Sequence, residues 1–475
     1  MQGRPVLILG SGEAAIALLR ELQRSREWRV VGLLDDNSEL HGRQLYGVKV
    51  LGQINQTPAI ASSLEVEHVI VAMPSVAHAA RRRAIEIADQ AALHIYTVPS
   101  FDDLMSGKVS VSKIRPIEVE DLLGREPVQL GNDGLKVLLT GRTVMVSGAG
   151  GSIGSELCRQ IEKYKPSRLV CFEISEFALY QLQQEFQDTR TRIDIVYLIG
   201  DVRNRNRVDW VLNKYSPAIV FHAAEYKHVP MMENDNLCGA LHNNVLGTQV
   251  LAESCKAHQV DKFVMISTDK AVNPANVMGA SKRMAEMVCQ GLQKHSGTRF
   301  VVLRFGNVLG SSGSVIPKFR EQIAKGGPIT VTHPEISRYF MSIPEATQLV
   351  LQAGLMGKGG EIFVLDMGEP VKIADLARDM IHLSGLQQDD IKIVYTGLRP
   401  GEKLYEELLA DDEISLRTPH PKLRIASARP VHEIWAESLV KWVSSTATLE
   451  DNIIRAGISQ WLDEYTPDTK KSSSI

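Results

Sequence analysis

The sequence predicts two consecutive α/β modules, each a doubly wound parallel sheet, and three observations predict it. Apolar strand-like runs alternate with amphipathic helical runs along most of the 475 residues. Unbroken apolar runs suit strands covered on both faces, as parallel sheets require. One plan also occurs twice: "PVLILGSGEAAIALLREL" then "RVVGLLDD", and later "TVMVSGAGGSIGSELCRQI" then "RLVCFE". Each time an apolar strand enters a glycine loop, a helix follows, and the next strand ends in a carboxylate, Asp35–Asp36 or Glu173. Finally, a chain of this length has material for two to four cores.

The first module is placed at 1–107, closing with the strands "VEHVIVAM" and "HIYTV". Residues 108–140 have weak periodicity and read as a strap, with "EVEDLLGREPV" a short helix ending at Gly124. The second module, 141–415, adds strands at "IDIVYLIG", "AIVFHAA", "KFVMIST", "FVVLRFG" and "EIFVLDM". Helices are expected near 204–215, 233–258, 277–295, 314–325, 344–355 and 372–384. Residues 416–475 read as helical, with Trp435, Trp442 and Trp461 on apolar faces and a disordered "TKKSSSI" tail.

Net charge is -3, so no basic field draws a nucleic-acid backbone. A small anion remains possible through a few placed arginines. The five cysteines form no C-x-x-C pair, which favours reduced core thiols and disfavours a metal site. No apolar run reaches the roughly 20 residues of a membrane span, and no signal peptide opens the chain. The chain as it stands is expected in the cytoplasm, although its abrupt start also fits a cut just after a membrane region.

A strand, a glycine loop and a helix together form an anion site, because helix-start amides and the helix dipole favour a pyrophosphate. In the second loop Gly148, Gly151 and Gly154 are spaced by three, with Ser152 and Ile153 between the last two. Glu173 then ends the next strand, where a carboxylate accepts from adenosine ribose hydroxyls and repels a 2′-phosphate. This order predicts NAD rather than NADP. The first loop, Gly10, Gly12 and Ala15 with Asp35, follows the same plan with no catalytic constellation after it. Nucleotide binding and a purely structural turn both fit it.

"ISTDKAVNPANVMGASK" runs from Ile266 to Lys282. Its strand ends at Thr268, so Asp269 and Lys270 emerge where strand ends open onto a crevice. Met278 and Lys282 are four apart and share a helix face. By themselves Met278 reads as a core methionine and Lys282 as a surface charge.

Taken with "VSGAGGSIGSEL", "FEISEFALYQL", "GDVRN", "HAAEYKHVPMME", "NNVLGT", "RFGNVLGSSGSVIPKF", "SRYFM" and "RPGEKLYEEL", this stretch resembles the extended short-chain dehydrogenase/reductases. Within them it resembles the large, two-module bacterial UDP-N-acetylglucosamine 4,6-dehydratases of surface-glycan synthesis. The resemblance covers roughly 140 to 410 in register, and the first module resembles the accessory Rossmann-like domain of that family. The fold it implies is two Rossmann-like modules, the second ending in a smaller substrate-binding part. Large members carry methionine where the superfamily keeps tyrosine, so Met278 does not imply a dead site.

The activity so implied is a dehydration without net redox change. Hydride leaves sugar C4 for the nicotinamide, the C4 ketone acidifies C5, the C6 hydroxyl leaves as water, and hydride returns at C6. By resemblance Thr268 hydrogen-bonds O4, Lys270 removes the C5 proton and Asp269 protonates the departing O6. This asks for a neutral Lys270 and a protonated Asp269. Burial and the nearby cation Lys282 are expected to push that way. Lys282 also holds the nicotinamide ribose. Methionine takes no proton, so the O4 proton goes to water, through Thr268, or to Asp269 or Lys270.

Resemblance further places Asp201 and Val202 at the adenine, and Ala223, Ala224 and Lys227 near the pyrophosphate and nicotinamide ribose. Asn244 on the central helix is assigned to the cofactor. Asn276, Arg304 and Asn307 are assigned to the sugar, and Arg338 and Arg399 to the diphosphate. Glu402 is assigned to the uridine ribose, and Val315, Pro317 and Phe319 to a nucleobase shelf. Lys227 also reads as a surface charge, and Asn244 as a helix-packing amide. Two rivals stand beside the dehydratase. A UDP-sugar 4-epimerase would need the missing tyrosine and not the Asp269–Lys270 pair. A silent sugar-nucleotide sensor would use the first module instead. A homo-oligomer is expected, since such folds pair through helices. Members of this size also carry membrane spans before the first module, so a tether ahead of residue 1 stays open.

Overall fold

The computed structural model describes residues 3–23, 25–74, 76, 78–98, 114–117, 121, 123, 132–188, 191–294, 296–387, 389–410, 413–427 and 430–467. The chain divides into two compact units. One comprises Met1–Glu126, Phe319–Ile329 and Asp375–Val394, and the other Pro127–Lys318, Thr330–Ala374 and Tyr395–Ile475. Each unit is an α/β sheet.

The sheet of the first unit uses β1 (Arg4–Leu9), β2 (Trp28–Leu34), β3 (Gln44–Leu45), β4 (Val48–Gly52), β5 (His68–Val71), β6 (His94–Thr97) and β7 (Arg115–Pro116). Their spatial order is β3-β4-β2-β1-β5-β6-β7, with β1 parallel to both β2 and β5. Alternation along β1 shows why the run is wholly apolar. Val6 and Ile8 enter one cluster with Leu18 and Leu33, whereas Leu7 and Leu9 enter another with Val69 and Ile85. Both faces are covered, so no polar position is left.

The second unit repeats the logic with β8 (Thr143–Ser147), β9 (Arg168–Glu173), β10 (Asp194–Ile199), β11 (Ile219–His222), β12 (Lys262–Thr268), β13 (Arg299–Phe305), β14 (Ile362–Leu365), β15 (Ile414–Arg417) and β16 (Leu423–Ser427). The order is β10-β9-β8-β11-β12-β13-β14-β16-β15. Val264 and Ile266 of β12 face one cluster, and Phe263 and Met265 the other. β8 lies between β9 and β11, both parallel to it. The winding direction therefore reverses beside β8, and such a switch point opens a crevice at the strand C-termini.

Two expectations need correction. The helix expected near 233–258 starts later, as one unbroken helical run of Leu237–Leu241, a π-helical turn His242–Leu246 and Gly247–Ala257, preceded by the short Val229–Met232. The wider turn accommodates an extra residue and re-aims Asn243 and Asn244, a distortion common at functional sites. The region after 416 does not begin helical. Ile414–Arg417 and Leu423–Ser427 form an antiparallel hairpin that extends the sheet from β14. Its buried positions, Leu423 and Ala426, pack onto a preformed apolar edge, a tertiary effect invisible to local periodicity. Helices Glu433–Ser445 and Asp451–Trp461 follow, and Leu439, Val443, Ile454 and Ile458 cover the Val277–Gln293 helix.

The module boundary at 107, most of the strap and the "TKKSSSI" tail lie outside the described residues. Among the described residues no helix is long and apolar enough to cross a membrane.

Candidate active site

The glycine loop follows β8 because only glycine suits its geometry. Gly148 has φ +70°, and a Cβ there would stand 2.5 Å from the Ala224 nitrogen. The loop and the end of β11 thus meet in the crevice, bringing Gly148 beside Ala223 and Ala224. A Cβ on Gly150 would stand 2.5 Å from Ala178 Cβ, and one on Gly154 would overlap the Gly148 carbonyl oxygen. Gly151 caps the Ser152–Lys163 helix, whose first amides Ser152 and Ile153 share. Glu173 at the end of β9 accepts from Gly150 N at 3.0 Å and from Ser175 N at 2.9 Å. A cradle that no side chain may fill, a helix start and a carboxylate held against it together fit a dinucleotide.

Asp201 is clamped by Arg203, which donates through Nε and its terminal nitrogen at 2.6–3.0 Å. Burial raises the Asp201 pKa, but the Arg203 bonds outweigh it and leave the carboxyl below its usual value. Val202 is buried in the core. Burial lowers the amine of Lys227, opposed by Glu225. Asn244 spends its amide on the protein. It accepts from Tyr226 N at 2.8 Å and donates to Tyr226 O and Ser281 Oγ at 2.9 Å. It positions the loop after β11.

Thr268, Asp269 and Lys270 converge at the end of β12. Thr268 Oγ1 donates to Asp269 Oδ1 at 2.9 Å, and Lys270 Nζ donates to the same oxygen at 3.0 Å. Lys270 Nζ also donates to Asn307 Oδ1 at 3.0 Å and lies 3.7 Å from Glu406 Oε1. Arg338 Nε lies 3.6 Å from that same Glu406 oxygen. Among the described residues Asp269 Oδ2 and Glu406 Oε2 are buried without a hydrogen-bond partner. Such orphaned acceptors are costly unless something else meets them.

The expected depression of Lys270 is overturned. Burial alone would lower its pKa, but Asp269 and Glu406 outweigh burial and raise it, with Arg338 opposing. The cation acting on it is Arg338, not Lys282. Lys282 is buried elsewhere, donating to Ile266 O at 2.6 Å and pairing with Glu225 Oε2 at 2.9 Å. Met278 is 3% exposed and belongs to the apolar cluster that includes Val245, Met284 and Leu439.

The assigned substrate residues separate into two groups. Asn307 sits at Lys270, and Val315 and Pro317 are part-exposed on the first turn of the Val315–Ala324 helix. Arg399 is exposed. With burial it lowers the amine of Lys318, which Glu402 opposes, so two cations share one neighbourhood. The others need correction. Arg304 does not lie over the sugar: it is 1% exposed and its donors are filled by Glu286 and Glu413 at 2.7–3.0 Å. Asn276 caps the Val277–Gln293 helix through Gly279 N and donates to Gly401 O at 3.0 Å. Arg338 donates to the carbonyls of Ser337, Lys403 and Leu404. Phe319 is fully buried and offers no shelf. The three polar residues, Arg304, Asn276 and Arg338, looked free until the "RPGEK" loop or a distant glutamate folded onto them.

Glu225, Glu286 and Glu406 were not singled out from the sequence. Nothing in the spacing of "RPGEKLYEEL" separates Glu406, which is buried, from Glu407, which is exposed.

The fold and crevice define an α/β protein of the extended short-chain dehydrogenase/reductase kind. More narrowly, a family model described as polysaccharide biosynthesis protein matches residues 144–428, and the chain belongs to that family. A second model, described as a CoA-binding domain, matches residues 1–99. The capsular polysaccharide biosynthesis protein CapD of Staphylococcus aureus is 47% identical over 428 residues, 89% of this chain and 71% of that protein. A UDP-N-acetylglucosamine 4,6-dehydratase (inverting) of Campylobacter jejuni is 32% identical, covering 59% of this chain and 80% of that protein. A UDP-glucose 4-epimerase of Rickettsia canadensis is 34% identical, covering 58% and 79%. Among solved structures, Pen from Bacillus thuringiensis is 36% identical with TM-score 0.57, covering 62% of this chain and 92% of that one. A double mutant of the dTDP-glucose 4,6-dehydratase DesIV of Streptomyces venezuelae, solved with NAD, shares the fold at 20% identity and TM-score 0.50, covering 56% and 87%.

Proposed function

We propose that this chain is an NAD-dependent nucleotide-sugar 4,6-dehydratase of surface-polysaccharide synthesis, acting on UDP-N-acetylglucosamine. The observation that carries it is the Thr268–Asp269–Lys270 trio, joined by bonds of 2.9 and 3.0 Å, with Asp269 Oδ2 buried and without a hydrogen-bond partner among the described residues. An epimerase and a dehydratase both figure among the relatives, so overall likeness does not choose between them. An epimerase needs a proton shuttle at C4, and Met278 supplies none. A dehydratase needs an acid and a base at C5 and C6, which Asp269 and Lys270 supply.

The glycine cradle, Glu173 and Lys282 would hold NAD, which takes hydride from C4 and gives it back at C6. The chain's own residues move protons. Thr268 hydrogen-bonds O4 and relays its proton to Asp269 along the 2.9 Å bond. Lys270, in its neutral form, takes the C5 proton once C4 is a ketone. Asp269 then delivers its proton to O6, so the proton lost at O4 leaves with the water. Lys270 returns its proton to C5 as C6 is reduced. Arg399 and Lys318 offer two cations for a diphosphate.

The test is mass spectrometry of the protein incubated with UDP-N-acetylglucosamine and NAD. Loss of one water is expected. An unchanged mass with altered configuration would mean epimerisation, and binding without turnover would mean a sensor. Lys270→Met is expected to lower turnover by about 10²–10⁴-fold with NAD still bound. Wild-type rates in that variant would remove Lys270 from the reaction.

A further inference from the structure

Resting on that dehydratase reading, we propose that Glu406 is the positioning residue of the Lys270 base, fixing its amine beside Asp269 and balancing the charge it gains from the sugar. Three observations carry this. Glu406 is 3% exposed at its side chain, and Oε1 lies between two cations, 3.7 Å from Lys270 Nζ and 3.6 Å from Arg338 Nε. Its second oxygen, Oε2, is buried and has no hydrogen-bond partner among the described residues. The Lys270 amine is shared among Asp269, Asn307 and Glu406, so three groups from three chain segments triangulate it.

The charges explain the arrangement. Lys270 is faced by Asp269 on its own turn, by Glu406, and by Arg338 beyond it. With the amine protonated, two carboxylates and two cations balance, so the resting cluster can be buried without net charge. The amine must first release that proton to solvent before it can act as the base, and the acid limb of the pH profile reads that loss. When the C5–H bond breaks, its electron pair passes onto the C4 carbonyl oxygen and the proton forms a new Nζ–H bond. Lys270 becomes an ammonium while Asp269 is in its acid form. At that moment Glu406 is the one anion left to pair with it. Arg338 pairs with Glu406 at 3.6 Å and also ties the Lys403–Leu404 backbone down by 2.8 and 3.3 Å bonds. Glu406 acts through Lys270 and touches no substrate atom itself.

Removing the Glu406 charge at constant shape therefore makes Lys270 a weaker base. In the holoenzyme, Glu406→Gln is expected to move the acid limb of the kcat profile to lower pH by at least about half a unit. The plateau kcat is expected to fall about 10-fold or more, with KM little changed and NAD content retained. Glu406→Asp should recover part of the plateau. Glu407→Gln, at an exposed neighbour paired with Lys403, should match wild type. Competitive acetylation of Lys270, read by mass spectrometry against pH, gives the same shift without any turnover. An unmoved limb together with unmoved acetylation overturns the proposal. A fall in kcat equal in Glu406→Gln and Glu406→Asp with an unmoved limb also overturns it, since a purely structural role predicts that. If acetylation shifts but the wild type releases no water from the sugar, the dehydratase reading fails and the Glu406–Lys270 coupling stands.

Discussion

Arg304 and Glu286 meet in a two-pronged bond, Nε to Oε1 at 2.8 Å and a terminal nitrogen to Oε2 at 2.7 Å, with both side chains buried. Glu413 fills the third nitrogen and Ser267 donates to Glu286 at 2.6 Å. The pair links β13 to the Val277–Gln293 helix that carries Met278 and Lys282. Arg304→Ala strands two buried carboxylates and is expected to cost about 3–5 kcal/mol, read as a fall in the urea midpoint. Burial pushes Glu286 up, but Arg304, Arg283 and Ser267 outweigh it and hold its pKa below the usual value. Its stabilisation is therefore complete above the unfolded pKa of about 4.3 and is lost as pH falls through the lower folded value. A midpoint in Arg304→Ala equal to wild type would remove the pair from the stability of this unit.

His222 adds an earlier acid sensitivity. It is buried between Ser147 Oγ at 2.8 Å and Thr248 Oγ1 at 3.0 Å. Burial first, then Lys282, pull its pKa down to about 3. The unfolded imidazole takes a proton near pH 6.5, while the folded one stays neutral. Stability is therefore lost as pH falls from about 6.5 towards the folded value. Urea midpoints at pH 7, 5 and 4 should converge between wild type and His222→Gln as pH falls. Parallel lines would contradict it.

The glycine cradle predicts a contrast between the two units. In Gly154→Ala the new Cβ overlaps a backbone oxygen, which cannot swing aside as a side chain would. Bound NAD, measured after denaturing release, is expected to vanish, with about 1–3 kcal/mol of stability. Gly12 of the first unit has open space where its Cβ would lie, so Gly12→Ala should fold with a change under about 1 kcal/mol. Full NAD occupancy in Gly154→Ala would place the dinucleotide elsewhere.

Met278 carries no proton in the proposed reaction and packs in an apolar cluster. Met278→Leu conserves volume and should cost less than about 1.5 kcal/mol. Its dehydration rate should stay within a few-fold of wild type. A collapse of turnover in a folded Met278→Leu would assign the sulfur a part in the chemistry.

Much of this molecule is written in local patterns. The parallel sheets were legible because strands such as Val6–Leu9 and Phe263–Ile266 have no polar position, which only two covered faces explain. The glycine loop was legible because its chemistry is backbone chemistry: spacing alone says where no Cβ fits. Adjacency in sequence also made Thr268, Asp269 and Lys270 neighbours, and the 2.9 and 3.0 Å bonds among them follow from one turn of chain.

What the chain could not announce is which charges would find each other across it. Arg304 read as a substrate contact until Glu286 and Glu413, 18 and 109 residues away, took its donors. Lys270 read as a depressed amine beside Lys282 until Glu406 and Arg338 arrived from later segments. The hairpin fell largely in the stretch from 416 that read as helix, because its reason to be strand is the apolar edge of β14. Secondary structure and backbone cradles follow from short-range sterics and periodicity. Protonation states and the pairing of buried ions follow from long-range contacts, and those exist only once the fold has closed.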